Sequence, residues 1–295
     1  MNLNTLNQKQ KFFLFLLISV VSVLKLDILK KMSGISPEYL TINGAYPWAI
    51  LFLCGFFLFA KRKELSPVSN SLNFSISGMI IYLLSFFLPA NAPEFEIFRL
   101  LLALTGLAFI FFGEAASLPA ILLCIYGFGI SFPKLVDAYV GMSYAQFSTK
   151  IAYSIGSIFI PATQGDAVIS MITLSGERLL MIINAACSGS ASMSVFLVIF
   201  MLMSLDLPLP GRKWAFLLFF GIIGTFLQNI VRLVLLMLVG YYLGPSAIES
   251  GESFGGYILF PLWYAIFAYV YLKQYKIVNS SCDISSSNKY HNYNR

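Results

Sequence analysis

The chain has 295 residues, of which 58% are hydrophobic and only 11% are charged. A soluble domain needs roughly a quarter of its residues charged to cover its surface, so this composition excludes an ordinary cytosolic enzyme. The 28 Phe and 16 Tyr also exclude a disordered chain. The net charge of +6 comes from small basic groups between apolar stretches, as in the loops of membrane proteins, and predicts no nucleic-acid partner.

The apolar stretches predict an all-α integral membrane protein with about eight transmembrane helices. A hydrocarbon core ~30 Å thick needs about 20 residues of apolar helix. In chain order the predicted spans are Phe12–Leu29, Ala45–Ala60, Phe74–Leu88, Ile97–Gly113, Leu118–Phe132, Ser188–Ser204, Trp214–Tyr241 and Gly256–Leu272. The first resembles a signal peptide, but no small-x-small cleavage site follows it, so we interpret it as a retained anchor.

Basic residues predict the orientation of these spans in the cytoplasmic membrane. With eight spans both termini share one side, and that side receives Lys9, Lys11, Lys61, Arg62, Lys63, Arg212, Lys213, Lys273 and Lys276. The short loops of the other side contain Lys30, Lys31, Glu94, Glu96, Glu249 and Glu252. The positive-inside rule therefore places both termini in the cytoplasm.

This topology puts the stretch Pro133–Cys187 outside the cell. Its first half, Leu135–Phe159, is apolar but interrupted by polar residues such as Asp137, which predicts a helix lying at the membrane surface. Its second half, Ala167–Ile183, alternates around a Ser175–Arg178 turn and predicts a β-hairpin. Residues 1–278 form the predicted membrane domain, and residues 279–295, rich in Ser and Asn, a disordered cytoplasmic tail.

Polar residues at bilayer depth indicate function. Cys187 opens the sixth predicted span among small residues that include Ser188 and Gly189. Such residues allow close helix packing, and they also leave room for an extended substrate to reach a thiol. Arg232 lies roughly 27 Å along the span that begins near Trp214, in the outer part of the membrane.

Asn229 lies one turn before Arg232 on the same helix face, where it can orient the guanidinium. Snorkelling to the outer headgroups is the alternative role for Arg232. Cys187 enters its span from the outside, so the thiol and Arg232 fall at one depth on one side. A thiolate beside a cation, which also stabilises an oxyanion, is suited to acyl transfer.

These residues resemble the exosortase/archaeosortase family of membrane cysteine transpeptidases. The family pattern has an Ala-Cys-Ser-Gly block, Asn-x-x-Arg in the next span and a third residue before a Gly-containing last span. Here these are Ala186–Gly189, Asn229–Arg232 and Glu252 before Gly256. The resemblance runs from about Gly165 to Phe260, within the active-site half of the domain that we place at about residues 165–272.

The resemblance implies cleavage of C-terminal sorting signals on exported proteins, at the outer face, through a Cys187 thioester. Such a signal contains a short motif, a transmembrane helix and a basic cluster, and the acyl acceptor would be a lipid or a glycan. Arg232 would stabilise the thiolate and the oxyanion. No cofactor or metal is implied.

Glu252 departs from the family pattern, in which the third position is commonly His. The chain has one His, His291, in the predicted cytoplasmic tail. Glu252 is therefore either a general acid or base or an ordinary solvated carboxylate. Two alternative hypotheses concern the function of the whole protein. It is a transporter that binds an anionic solute through Arg232, or a catalytically inactive member of the family.

Overall fold

Helices make up most of the chain in the computed structural model, which describes residues 14, 17, 18, 42–61, 72–88, 93–183 and 189–291. The chain divides into two units, Met1–Ser131 and Phe132–Arg295. The first unit contains α1 (Ile42–Ala60), α2 (Leu72–Phe87), α3 (Pro93–Phe112), a 3-10 turn (Gly113–Ala116) and most of α4 (Ser117–Tyr139).

The second unit contains the remaining helices and the described strands. They follow in the order α5 (Gly141–Gly156), β1 (Ala162–Gln164), β2 (Val168–Ile172), β3 (Arg178–Ile182), α6 (Ser190–Asp206), α7 (Gly211–Leu243) and α8 (Ser246–His291). The predicted second to eighth spans thus fall on α1, α2, α3, α4, α6, α7 and α8. The first predicted span lies almost wholly outside the described residues.

Membrane-crossing length and hydropathy are met by two stretches of the described chain, Ile97–Tyr139 and Gly211–Leu243. Shorter apolar helices cover Tyr46–Ala60, Asn73–Phe87 and Ser190–Asp206. One face of α7 presents a line of exposed apolar side chains at helical spacing, Phe219, Ile223, Leu227, Val231 and Leu235. Such a face suits contact with lipid, whereas the total of eight crossings stays a prediction.

Helices α2 and α3 of the first unit touch through their backbones. A Cβ built on Gly78 would lie 2.6 Å from the carbonyl oxygen of Gly106, and one built on Gly106 would lie 2.7 Å from that of Gly78. Arg99 of α3 also donates a hydrogen bond from Nε to the carbonyl oxygen of Ser85, at 3.0 Å. Small residues therefore set the spacing of this helix pair.

The surface helix is shorter than predicted. Helix α4 continues through Pro133 to Tyr139, and Val140, with φ −134°, separates it from α5. The helix can continue through Pro133 because a proline removes only one backbone hydrogen bond. It ends where the backbone of Val140 leaves the helical conformation. Helix α5 buries Ala145, Thr149 and Ala152, while Met142 and Phe147 stay exposed.

The predicted hairpin is confirmed, with β2 and β3 paired antiparallel and Ile169 opposite Met181. Gly176, with φ +87°, forms the turn, a conformation that glycine adopts without strain. Strand β1 pairs with β2, so the described strands form a three-stranded sheet in the order β1-β2-β3. The sequence predicted an all-α protein with a two-stranded hairpin, so the third strand is an addition to that prediction. The inner face of the sheet joins a core with α7, formed by Ile169, Met171, Leu179, Ile183, Ile230, Leu233, Val234 and Met237.

Helices α6, α7 and α8 enclose an aromatic core. Phe196 and Phe200 of α6 pack with Phe267 and Tyr271 of α8. Trp263 of α8 donates from Nε1 to Thr225 Oγ1 of α7 at 3.0 Å. One face of α8, which carries Trp263, Phe267 and Tyr271 at four-residue spacing, is therefore held both by ring packing and by a hydrogen bond.

Helix α8 is continuous to His291 and passes through most of the segment for which the composition predicts disorder. Pro261 is the last proline in the chain and Gly256 the last glycine. Because no proline or glycine follows Pro261, the sequence after it contains no strong signal that would end the helix.

We expect Gly224→Ala to destabilise the protein by about 1–3 kcal/mol, because the new methyl group would occupy the position of the Trp263 ring and displace its hydrogen bond to Thr225. Thermal unfolding of the detergent-solubilised protein measures this. The matched control is Gly55→Ala, where nothing lies within 4 Å of the added Cβ. Equal unfolding temperatures for the two variants would contradict the packing.

Candidate functional site

Arg232 is enclosed by the protein, with 2% of its surface exposed. The snorkelling alternative is therefore wrong, because a side chain that reached the headgroups would be exposed along its length. An enclosed guanidinium loses several kcal/mol of hydration that its surroundings must replace. Helix α7 consequently needs other polar groups on the same face.

Those polar groups form a buried line on α7. Asn229 is fully buried one turn before Arg232, and Thr225 is buried a further turn back. Thr225 donates to the carbonyl oxygen of Gly221 at 2.8 Å. Both amide atoms of Gln228 are buried and have no hydrogen-bond partner within the described part of the chain. The buried side of α7 thus carries a polar strip beside its apolar core residues, whereas its exposed face is apolar.

Gly189 rests directly against this polar line. A Cβ built on Gly189 would lie 2.8 Å from Asn229 Cγ and 2.9 Å from its amide nitrogen. Gly189 also has φ +101°, a left-handed conformation in which a side chain is strained. Only glycine fits here on both grounds, so its place in the predicted motif has a structural reason.

Cys187 and Ser188 lie outside the described residues, so their predicted contacts are untested. Covalent geometry still limits the distance: the Cα atom of Cys187 lies at most about 7.6 Å from that of Gly189, because consecutive Cα atoms are 3.8 Å apart. Gly189, the last residue of the Ala186–Gly189 motif and the one that the structure describes, contacts Asn229 on the polar face of α7.

Glu252 lies in helix α8, whereas the sequence predicts a loop over residues 249–253. The loop is shorter because Gly244 and Pro245 end α7 within two residues, and α8 begins at Ser246. Only the helical backbone is described over residues 249–255, so the role of the Glu252 side chain stays a prediction.

The packing register of α7 and α8 gives the level of Glu252. Gly221 meets Phe267 and Gly224 meets Trp263. The same antiparallel register, carried toward the helix ends, places Gly256 beside Arg232 and the Glu252 backbone about one turn, roughly 6 Å, nearer the start of α8.

Asp137 is a carboxylate near the site that the motifs do not include. Ser190, the first residue of α6, is buried and donates from Oγ to Asp137 Oδ1 at 3.4 Å. Asp137 lies in the last turn of α4 and Ser190 is three residues after Cys187. The available sequence signal was a single acid in the long apolar stretch between Glu114 and Asp166.

The described residues contain no group of three or more His, Cys, Asp or Glu side chains placed to hold a metal ion. They do contain the buried cation Arg232, the side-chain amide of Asn229 one turn away, and Gly189 in contact with that amide. This arrangement can stabilise negative charge near the polar face of α7.

The family model of transmembrane exosortases matches residues 41–269, well over half of the chain. The chain therefore belongs to the transmembrane exosortase family and is a membrane protein. The match includes the three-stranded sheet, the Cys187 block, Arg232 and Glu252. No match was found among curated proteins or among solved structures.

We expect Gly189→Ala to destabilise the protein by about 1–3 kcal/mol, through left-handed backbone strain together with contact between the new methyl group and Asn229. Gly176→Ala is the matched control, since its φ is +87° but nothing lies within 4 Å of its Cβ. The stability that Gly189→Ala loses beyond the loss in Gly176→Ala, measured by thermal unfolding, is the contribution of the Asn229 contact. Adding Asn229→Ala should reduce that excess, and an unchanged excess would contradict the geometry.

Proposed function

We propose that the protein is a membrane-embedded cysteine transpeptidase that removes C-terminal sorting signals from exported proteins. The observation that carries the proposal is the seating of Gly189 on Asn229, one helical turn from the enclosed Arg232. It supports the proposal because Gly189 closes the motif that contains Cys187, and Asn229 lies one turn from the buried cation of the next helix. Family membership supports the same chemistry.

The reaction begins when the Cys187 thiol gives its proton to a carboxylate base and the thiolate attacks the carbonyl carbon of the scissile amide. The carbonyl oxygen takes the negative charge, and the Arg232 guanidinium stabilises it. The carbon–nitrogen bond then breaks, the amine of the membrane-anchored fragment accepts the proton, and the exported protein is held on Cys187 as a thioester.

An acceptor nucleophile completes the transfer. Its hydroxyl or amine attacks the thioester carbonyl and gives a proton to the carboxylate. The Cys187 sulfur leaves as the thiolate and takes up that proton, and the exported protein is retained through a new ester or amide bond. A lipid or a glycan at the outer surface supplies such a group, and water in its place gives hydrolysis.

Glu252 is the carboxylate that we assign to proton transfer. Its backbone lies about one turn from the level of Arg232, toward the end of α7 that the positive-inside rule puts outside. The carboxylate that takes the proton of the Cys187 thiol becomes the acid that protonates the leaving amine. With both termini in the cytoplasm, this end of the helix pair faces the exported substrate.

We expect Cys187→Ala to abolish signal removal while the protein still inserts into the membrane. A survey of the C-terminal peptides of the cell's exported proteins measures this, because uncut proteins keep their C-terminal helix. Cys124→Ser, which changes an exposed cysteine of α4, is the control and should process normally. Identical surveys for wild type and Cys187→Ala would reject the enzyme; loss of solute uptake in Arg232→Leu alone would then indicate a transporter.

We expect Glu252→Gln to slow processing by roughly 10²–10⁴-fold, the usual contribution of a general acid or base. The rate is measured on a substrate identified by the C-terminal survey, with Glu249→Gln as the control in the same helix. If Asp137→Asn abolishes processing and Glu252→Gln does not, the proton-transfer role belongs to Asp137.

A further inference from the structure

Strand β3 is an edge strand of the sheet in the part of the chain that the structure describes. In the hairpin, Ile183 donates its backbone N–H to the carbonyl oxygen of Ala167, and Thr173 donates to that of Glu177, both at 2.8 Å. Alternate residues of an antiparallel strand bond to the same neighbour. Leu179, Met181 and Ile183 therefore bond to β2, and the N–H and C=O groups of Leu180 and Ile182 point away from the sheet.

Among the residues that the structure describes, nothing pairs with this edge. The sheet order ends at β3, and Leu180 and Ile182 are 54% and 68% exposed. Exposed edges of this kind are templates for another extended chain. Here the edge also carries apolar side chains on the outward face of the sheet, which are costly to leave in water.

Two contacts with α7 fix the direction of β3. A Cβ on Gly240 would lie 2.6 Å from Leu179 Cδ2, and one on Gly189 would meet Asn229. Residue 179 of β3 therefore lies at the Gly240 level of α7, and residue 189 lies at the Asn229 level, about 16 Å nearer the start of the helix. The strand leads from the end of α7 toward the level of Arg232, and Cys187 follows its last residue by five positions.

We propose that the free edge of β3 binds an extended segment of the exported polypeptide, just N-terminal to the bond that is cut, as an added parallel strand. This inference rests on the proposed function. A substrate whose membrane helix follows its motif runs from the outside toward the membrane, and β3 runs the same way. Parallel pairing therefore brings the scissile bond down to the Cys187 segment.

Backbone hydrogen bonds to the edge would make this binding tolerant of sequence, while the exposed side chains would set a period-two preference. The added strand would place every second side chain on the outward face, beside Leu180 and Ile182. We therefore expect apolar residues at alternate positions before the cleavage point in the proteins that are processed.

Crosslinking tests the edge without disturbing the fold. A photoreactive amino acid replaces Leu180 in the full-length protein carrying Cys187→Ala, and the same label replaces Gln164 in a second copy. Gln164 is exposed on β1, at the opposite edge of the sheet. We expect at least tenfold more adduct with uncut exported proteins from position 180. Equal adduct at both positions, or none at position 180, would overturn the proposal.

Proline substitution tests the hydrogen bonds themselves. Leu180→Pro removes an N–H that does not bond to β2, and Gln164→Pro removes the corresponding outward N–H of β1. We expect about tenfold slower processing in Leu180→Pro and wild-type processing in Gln164→Pro. Unchanged processing by a folded Leu180→Pro overturns the docking role, and if that variant unfolds the crosslinking result decides.

The two proposals fail in different ways. If the C-terminal surveys of wild type and Cys187→Ala agree, the transpeptidase function itself is rejected. If those surveys differ but position 180 gives no adduct, cleavage stands and only the docking edge is rejected.

Discussion

The enclosure of one charged side chain, Arg232, constrains the architecture of the second unit. A guanidinium removed from water loses its hydration energy, and polar groups of the protein must compensate for that loss. The packing of the helices must therefore place polar groups near Arg232. The inner face of α7 therefore carries Thr225 and Asn229, while its outer face is a row of large apolar side chains. The left-handed Gly189 closes the polar face, because any larger residue would hold the following helix away from it.

The length of α7 explains why a β-sheet belongs to a helical membrane protein. Its 33 residues span about 50 Å, well beyond a hydrocarbon core of ~30 Å. A helix that projects into water exposes its apolar side chains unless something covers them. The sheet covers the last turns of α7 with Ile169, Met171 and Leu179, and Leu174 donates its backbone N–H to the carbonyl oxygen of Tyr241 at 2.9 Å.

The sequence predicted the features that depend on local patterns. Apolar runs located seven helices of the described chain, alternation around Gly176 located the hairpin, and a costly charge identified Arg232. Three features could not be predicted from local patterns, because they depend on strand pairing, on a tight backbone turn and on a contact between residues distant in sequence. Strand β1 has three residues, too few to show a period, and it forms because β2 offers partners. The start of α8 depends on how tightly Gly244 and Pro245 turn the backbone. The approach of Asp137 to Ser190 joins residues 53 positions apart, which no local pattern records.

The glycine contact between α2 and α3 bears on how the chain is made. These helices follow each other along the chain, and their backbones touch at Gly78 and Gly106 without any side chain between them. Contacts that are local in sequence form early, and domains assemble from the N-terminal side during synthesis. The α2–α3 pair can therefore assemble while the ribosome is still translating the second unit. A bulky substitution at either glycine would act during biogenesis, and it would lower the amount of protein in the membrane without altering the chemistry of the molecules that mature.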